Sequence, residues 1–105
     1  MNRSVIIVAG GSGSRMGTNV PKQFLLLGGR PILMRTIEAF YNFDSAMNIV
    51  VVLPADQHDY WQDLCRQYSF TKIPYQLAEG GATRFHSTLN GLSKVPADGV
   101  VAVHD

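Results

Sequence analysis

The chemistry in this chain is concentrated in its first quarter, where VAGGSGSRMGTNVPKQF runs from Val8 to Phe24. Four glycines and two serines fall within ten residues of an apolar run, and Arg15, Lys22 and Gln23 follow them. Glycines let backbone N–H groups approach an anion closely, and a neighbouring arginine can meet its charge. Two phosphate-binding patterns are excluded. The dinucleotide fingerprint G-x-G-x-x-G, started at Gly11, would need a third glycine where Met16 stands, and no glycine is followed by Lys and Ser or Thr as a Walker A loop requires. On residues alone the loop reads as an anion cradle or as a tight strand-to-helix turn with a solvated arginine. Lys22 follows Pro21, whose fixed φ helps to aim a long side chain, although most lysines simply face solvent.

A second cluster is GGATRFHS, residues 80–87. Gly80 and Gly81 permit a close backbone approach, and Ser87 offers both a donor and an acceptor one helical turn beyond Thr83. Thr83 itself reads as a helix N-cap or as a ligand contact, and Arg84 as a brace for the loop. At the end of the chain Asp105 leaves an apolar run, which suits either a Mg²⁺ ligand beside a triphosphate or the cap of a following helix. His104 should face the other way along an alternating strand and is read as structural. His58 and His86 have no metal-ligand partners at useful spacing and are read as surface or packing residues.

Buried strands and short helices must carry these loops. SVIIVA (residues 4–9), NIVVVLP (48–54) and GVVAVHD (99–105) are short runs rich in β-branched residues, the pattern of strands covered on both faces, and IPYQLA (73–78) is a weaker fourth. Between them, Leu33, Ile37 and Phe40, then Trp61, Cys65 and Tyr68, then Phe85, Leu89 and Leu92 recur at helical spacing. Pro31 suits the first turn of the first helix and Asp56 the N-cap of the second. Alternating strand and helix with short connections predicts βαβ units and a mostly parallel sheet, whose ligands bind outside the carboxyl ends of the strands. The loop after Ala9, the turn after Ala78 and Asp105 all belong at that end.

With 105 residues, 46% of them hydrophobic, the chain is expected to form one domain over residues 1–105. It ends on a strand with no helix after it, so a portion of a longer protein is expected. No apolar run approaches the ~18 residues of a membrane span, which sets a membrane partner aside. One cysteine, Cys65, cannot close an intramolecular disulfide and is read as a structural thiol of a cytoplasmic protein. The net charge of +1 argues against nucleic acid. Its distribution is uneven, because residues 1–37 carry Arg3, Arg15, Lys22, Arg30 and Arg35 and no acid. A compact anion such as a phosphate chain is the matching partner.

The segments AGGSGSRMG (9–17), PKQFLLLGGRPIL (21–33), GGATRFHSTLNGL (80–92) and VAVHD (101–105) together resemble the 2-C-methyl-D-erythritol 4-phosphate cytidylyltransferase family, within the wider sugar-nucleotide transferases. Gly10 stands where that family usually has a second alanine, and Thr88 where it often has valine. The resemblance implies a Rossmann-like three-layer α/β sandwich of the nucleotide-diphospho-sugar transferase type, here truncated to its CTP-binding portion. It implies attack by the phosphate of methylerythritol 4-phosphate on the α-phosphorus of CTP, with Mg²⁺, in a protein that is a homodimer at full length. Arg15 and Lys22 would hold the triphosphate and stabilise the transition state, with Gly11 and Gly13 letting the backbone come close and Ala9 and Gly10 also binding substrate. Gly81, Ala82 and Ser87 would read the base, Arg84 would brace their turn, and Asp105 would hold the metal. No nucleophilic side chain is required. Another acceptor such as ribitol 5-phosphate, or a CTP-binding module without turnover, are the alternative expectations.

Overall fold

The computed structural model describes residues 2–9 and 20–105. Gly10, Gly11, Gly13 and Arg15, all assigned to phosphate binding from the sequence, lie outside the described residues.

Two runs of branched apolar residues build the centre of the sheet. Strand β1 (Arg3–Val8) pairs in parallel with β4 (Asn48–Leu53), Val5 opposite Ile49 and Ile7 opposite Val51. On the other side of β1 lies β6 (Val100–His104), and β5 (Gln76–Glu79) pairs with the free edge of β4, giving the order β5-β4-β1-β6 with every pairing parallel. Side chains alternate across a strand, so the two faces receive different partners. Val5, Ile7, Ile49, Val51 and Leu53 pack with Leu33, Met34 and Ile37 of α1 (Ile32–Phe43) and Trp61 of α2 (His58–Gln67). Ile6, Val50 and Val52 point the other way, with Ala78, beneath α3 (Arg84–Leu92). The parallel sheet expected from the alternation of elements is present, with helices on both faces as the three layers implied by the resemblance require.

A two-residue ribbon of β2 (Leu26–Leu27) and β3 (Arg30–Pro31) leads into α1. Its turn holds Gly28 at φ 62° and Gly29 at φ 82°, left-handed conformations that a tight two-residue hairpin demands. Arg35 secures the turn by donating to the carbonyls of Leu27 and Gly28 at 2.9 and 2.8 Å.

Several expectations change. Pro31 is the N-cap of α1 rather than its first residue, and α2 is preceded by Gln57, with Asp56 in a 3-10 turn, Ala55–Gln57, and no side-chain cap. The fourth strand begins only at Gln76, because Pro74 lacks the N–H that a strand ladder needs. Among the described residues β6 pairs with β1 alone, and Val100 and Val103 are exposed, so within residues 2–9 and 20–105 only β1 and β4 are covered on both faces.

The largest departure is in α3. Phe85, Leu89 and Leu92, read as its inward stripe, are exposed, and the helix turns Ser87 and Gly91 to the sheet instead. A Cβ at Gly91 would lie 2.6 Å from Ile6 Cγ2 and 3.1 Å from Val52 Cγ2. The backbone of α3 therefore rests almost directly on the strands, an approach that only small residues allow. Its consequence is to bring the N-terminus of α3 down to the strand ends.

Candidate functional site

A cavity of about 510 Å³ opens at the carboxyl ends of the strands. Ala9 enters it after β1, Pro54 after β4, Gly80 and Gly81 after β5, and Asp105 after β6. Lys22 and Gln23 approach from the segment after the glycine loop, and Thr83, Arg84 and Ser87 from the start of α3. All seven site residues expected from the sequence that lie within the described residues (Ala9, Lys22, Gly81, Ala82, Arg84, Ser87 and Asp105) line this one cavity.

The turn at the start of α3 is held by its own side chains. Thr83 caps the helix, its Oγ1 accepting from the His86 amide at 3.1 Å and meeting His86 Nδ1 at 2.8 Å. The N-cap reading of Thr83 is thus the one observed, and His86, exposed, belongs to the cap. Ser87 is buried, and its Oγ accepts from the Gly81 N–H at 2.9 Å. That bond uses a lone pair of the hydroxyl and leaves its proton to be donated elsewhere. A side chain at Gly81 would collide with His86, its Cβ falling 2.4 Å from that of His86. Gly80 continues the ladder by donating to the Leu53 carbonyl at 2.8 Å, which fixes the turn to the end of β4. His58, half-buried, meets the same carbonyl through Nε2 at 2.9 Å.

Across the mouth, Arg84 Nε donates to Asp105 Oδ1 at 2.7 Å. This bond holds the Asp105 carboxyl below the ordinary aspartate range and raises the Arg84 guanidinium. Arg84, read from the sequence as a brace for the turn, makes this contact with Asp105 at the end of β6. Only one oxygen of that carboxylate is so engaged, and among the described residues no group of three or more His, Cys, Asp or Glu comes together. Asp105 therefore offers this cavity one carboxylate, fewer ligands than a cation site built from protein groups alone would need.

His104 packs edge-on against Phe40, centroids 5.4 Å apart, as a structural residue would. It also lines the cavity, which strict alternation with Asp105 did not foresee; Asp105 lies past the last residue of β6, where the strand's alternation no longer applies. Gln23, named in the sequence beside Arg15 and Lys22 but given no role there, lines the cavity, and Thr36 and Pro54 are lining residues that the sequence reading did not single out.

The basic N-terminal third is largely committed to the fold. Arg3 pairs with Asp44 at 3.4 Å, Arg30 with Glu38 at 3.0 Å, and Arg35 serves the hairpin. Among the described residues Lys22 makes no ion pair, and it faces the cavity. Cys65 is far from this chemistry: half-buried, it contacts Tyr75 Oη at 3.6 Å, and burial raises its thiol pKa, the setting of an unreactive cysteine.

A parallel sheet with helices on both faces, a glycine-rich sequence after its first strand and a cavity at the strand ends lined by Lys22 define an α/β protein of the doubly wound kind, with its ligand site at the carboxyl ends of the strands. The chain belongs to the family IspD, 2-C-methyl-D-erythritol 4-phosphate cytidylyltransferase, whose family model matches residues 4–105. It is 61% identical over 105 residues to the 2-C-methyl-D-erythritol 4-phosphate cytidylyltransferase of Phocaeicola vulgatus, covering 100% of this chain and 48% of that protein. The chain thus spans about half the length of the curated relatives it matches. Among solved structures, the bifunctional IspDF of Campylobacter jejuni superposes with a TM-score of 0.74 at 31% identity, over 98% of this chain and 26% of that one. The 4-diphosphocytidyl-2C-methyl-D-erythritol synthase of Anaerococcus prevotii, 24% identical, shares the fold with a TM-score of 0.71 over 97% of this chain and 42% of its own.

Proposed function

We propose that the full-length protein transfers CMP from CTP to 2-C-methyl-D-erythritol 4-phosphate, a step of isoprenoid precursor synthesis. The observation that carries this reading is the convergence of Lys22, Arg84, Ser87 and Asp105 on one cavity at the carboxyl ends of the strands. An oxygen of the acceptor's phosphate forms a bond to the α-phosphorus of CTP. The bond from that phosphorus to the bridging oxygen breaks, and pyrophosphate leaves with the electron pair.

Two anions must meet in this step, and charge builds on the oxygens of the transferred phosphorus. Fixed cations and backbone donors are the effective tools for that task. Lys22 supplies a cation at the cavity wall, with Arg15 from the glycine-rich loop as its partner. On this reading Gly11 and Gly13 would allow a close approach to the phosphates, with Ala9 and Gly10 also binding substrate, and Gly81, Ala82 and the Ser87 hydroxyl would read the pyrimidine edge. Mg²⁺, held by Asp105 and by phosphate oxygens, would neutralise the triphosphate.

The reading includes a cytoplasmic enzyme, in keeping with a single free cysteine, and a homodimer at full length, which light scattering tests. No described helix is long and apolar enough to cross a membrane. Incubation of the full-length protein with Mg-CTP and either methylerythritol 4-phosphate or ribitol 5-phosphate, with detection of the CDP product, tests the reaction. Product from the first acceptor is expected; product from the second alone, or from neither, refutes the proposal.

A further inference from the structure

Lys22 has a long, exposed side chain, so its aim depends on the backbone that carries it. That backbone is a single 3-10 turn, Lys22–Phe24, entered from Pro21 at φ −54°. Two neighbours of the lysine fix the turn in different ways. Phe24 is buried and stacks on Tyr60 with centroids 5.1 Å apart and planes within 7°, which fastens the turn to α2 and the core. Gln23 lines the cavity and donates through Nε2 to Gln57 Oε1 at 2.6 Å. Gln57 does not line the cavity; it ends the 3-10 turn after β4, where its own amide donates to the Pro54 carbonyl at 2.9 Å.

The hydrogen bond between the two glutamines therefore joins the lysine's turn to the corner of β4. On the core side the turn is held by Phe24, stacked on both Tyr60 and Trp61, and by the Leu25 carbonyl, which accepts from the Ile32 amide at 2.8 Å. The glutamine pair is the attachment on the cavity side, at the residue next to Lys22. We propose that Gln23 and Gln57 are positioning residues that aim Lys22 into the cavity, acting as one brace. This rests on the catalytic reading of Lys22 given above.

The decisive variant is Gln57→Leu, because the Gln57 side chain does not line the cavity and its hydrogen bond goes to Gln23. In the full-length enzyme, Gln57→Leu and Gln23→Leu should each lower kcat about tenfold with KM for CTP changed less than about threefold, since a misplaced group costs rate more than binding. The double variant should be no slower than either single one, as expected for two ends of one contact. Gln57→Glu, whose carboxylate accepts the same bond from Gln23, should recover most of the rate. Loss of kcat in Gln23→Leu alone would mean direct ligand contact by Gln23 and overturn the brace, as would losses that multiply. A readout free of turnover is the NMR signal of Lys22 after reductive 13C-methylation. Gln57→Leu should shift or broaden it, and an unchanged signal in a folded variant overturns the inference even if the wild-type protein forms no CDP product, a result that would separately refute the proposed reaction.

Discussion

Arg84, the first residue of α3, and Asp105, the residue after β6, are joined by a 2.7 Å hydrogen bond across the mouth of the cavity. Both are exposed, so salt screens the pair and its stabilising effect is small. The bond also lowers the Asp105 pKa, so the carboxylate, charged at neutral pH in any case, stays charged to lower pH. Because the folded value lies below the ordinary one, the contribution to stability is complete above the ordinary aspartate pKa and disappears as pH falls through the lowered value. Replacing Arg84 with methionine should move the Asp105 carboxyl titration up toward the ordinary range, read by 13C NMR. An unmoved titration would show that the pair does not form in solution.

Gly91 offers a test of how α3 meets the sheet. Alanine is favoured over glycine inside a helix by about 1 kcal/mol, so Gly91→Ala would stabilise a helix with room to spare. Here the new methyl would be 2.6 Å from Ile6 Cγ2 and 3.1 Å from Val52 Cγ2, both on buried strands. Overpacking of that kind costs roughly 1–3 kcal/mol, and the clash should win. Urea denaturation should therefore find the variant less stable; a more stable variant would mean that α3 sits farther from β1 and β4.

The same helix shows where sequence reading reached and where it stopped. Strands β1 and β4 were legible because a strand covered on both faces must be apolar at every position, and Val5 to Ile7 and Ile49 to Leu53 are. Helix α3 was legible as a helix but not in its orientation. Periodicity locates an apolar stripe, yet here Phe85, Leu89 and Leu92 face outward while Ser87 and Gly91 meet the sheet. Closeness of packing selected the small face, and small residues leave little trace in hydrophobic periodicity. The site was legible wherever the chain placed its chemistry directly after a strand, as at Ala9, Gly81 and Asp105. The link between Gln23 and Gln57 was not, because a contact spanning 34 residues between two uncharged amides has no local signature.

Ser87 joins fold to selectivity. Its Oγ accepts from the Gly81 N–H, and among the described residues its hydroxyl proton has no acceptor, which leaves it available to a ring nitrogen or carbonyl of a bound pyrimidine. Ser87→Ala removes both functions. The loss of one hydrogen bond should cost about 1 kcal/mol of stability, seen as a modest fall in the denaturation midpoint. On the proposed reading, the ratio of kcat/KM for CTP over UTP should also fall by about tenfold or more, since a base edge read by hydrogen bonds is discriminated by the partners it leaves unpaired. An unaltered ratio would remove Ser87 from base recognition and leave it as a brace for the turn.

Lys22 carries the most direct prediction. Among the described residues it makes no ion pair, so its loss disturbs no partner there, and its side chain is exposed, so its removal opens no core cavity. Lys22→Ala should therefore leave the melting temperature nearly unchanged. If the ammonium stabilises charge that appears only as the phosphorus is attacked, turnover of the full-length enzyme should fall by about 10² or more, as when one preorganised transition-state donor is lost. Lys22→Arg retains the charge but replaces a compact ammonium with a broad planar fork, so it should recover only part of the rate. A folded Lys22→Ala enzyme working at the wild-type rate would exclude the lysine from the mechanism, and a raised KM with unchanged kcat would make it a contributor to binding alone.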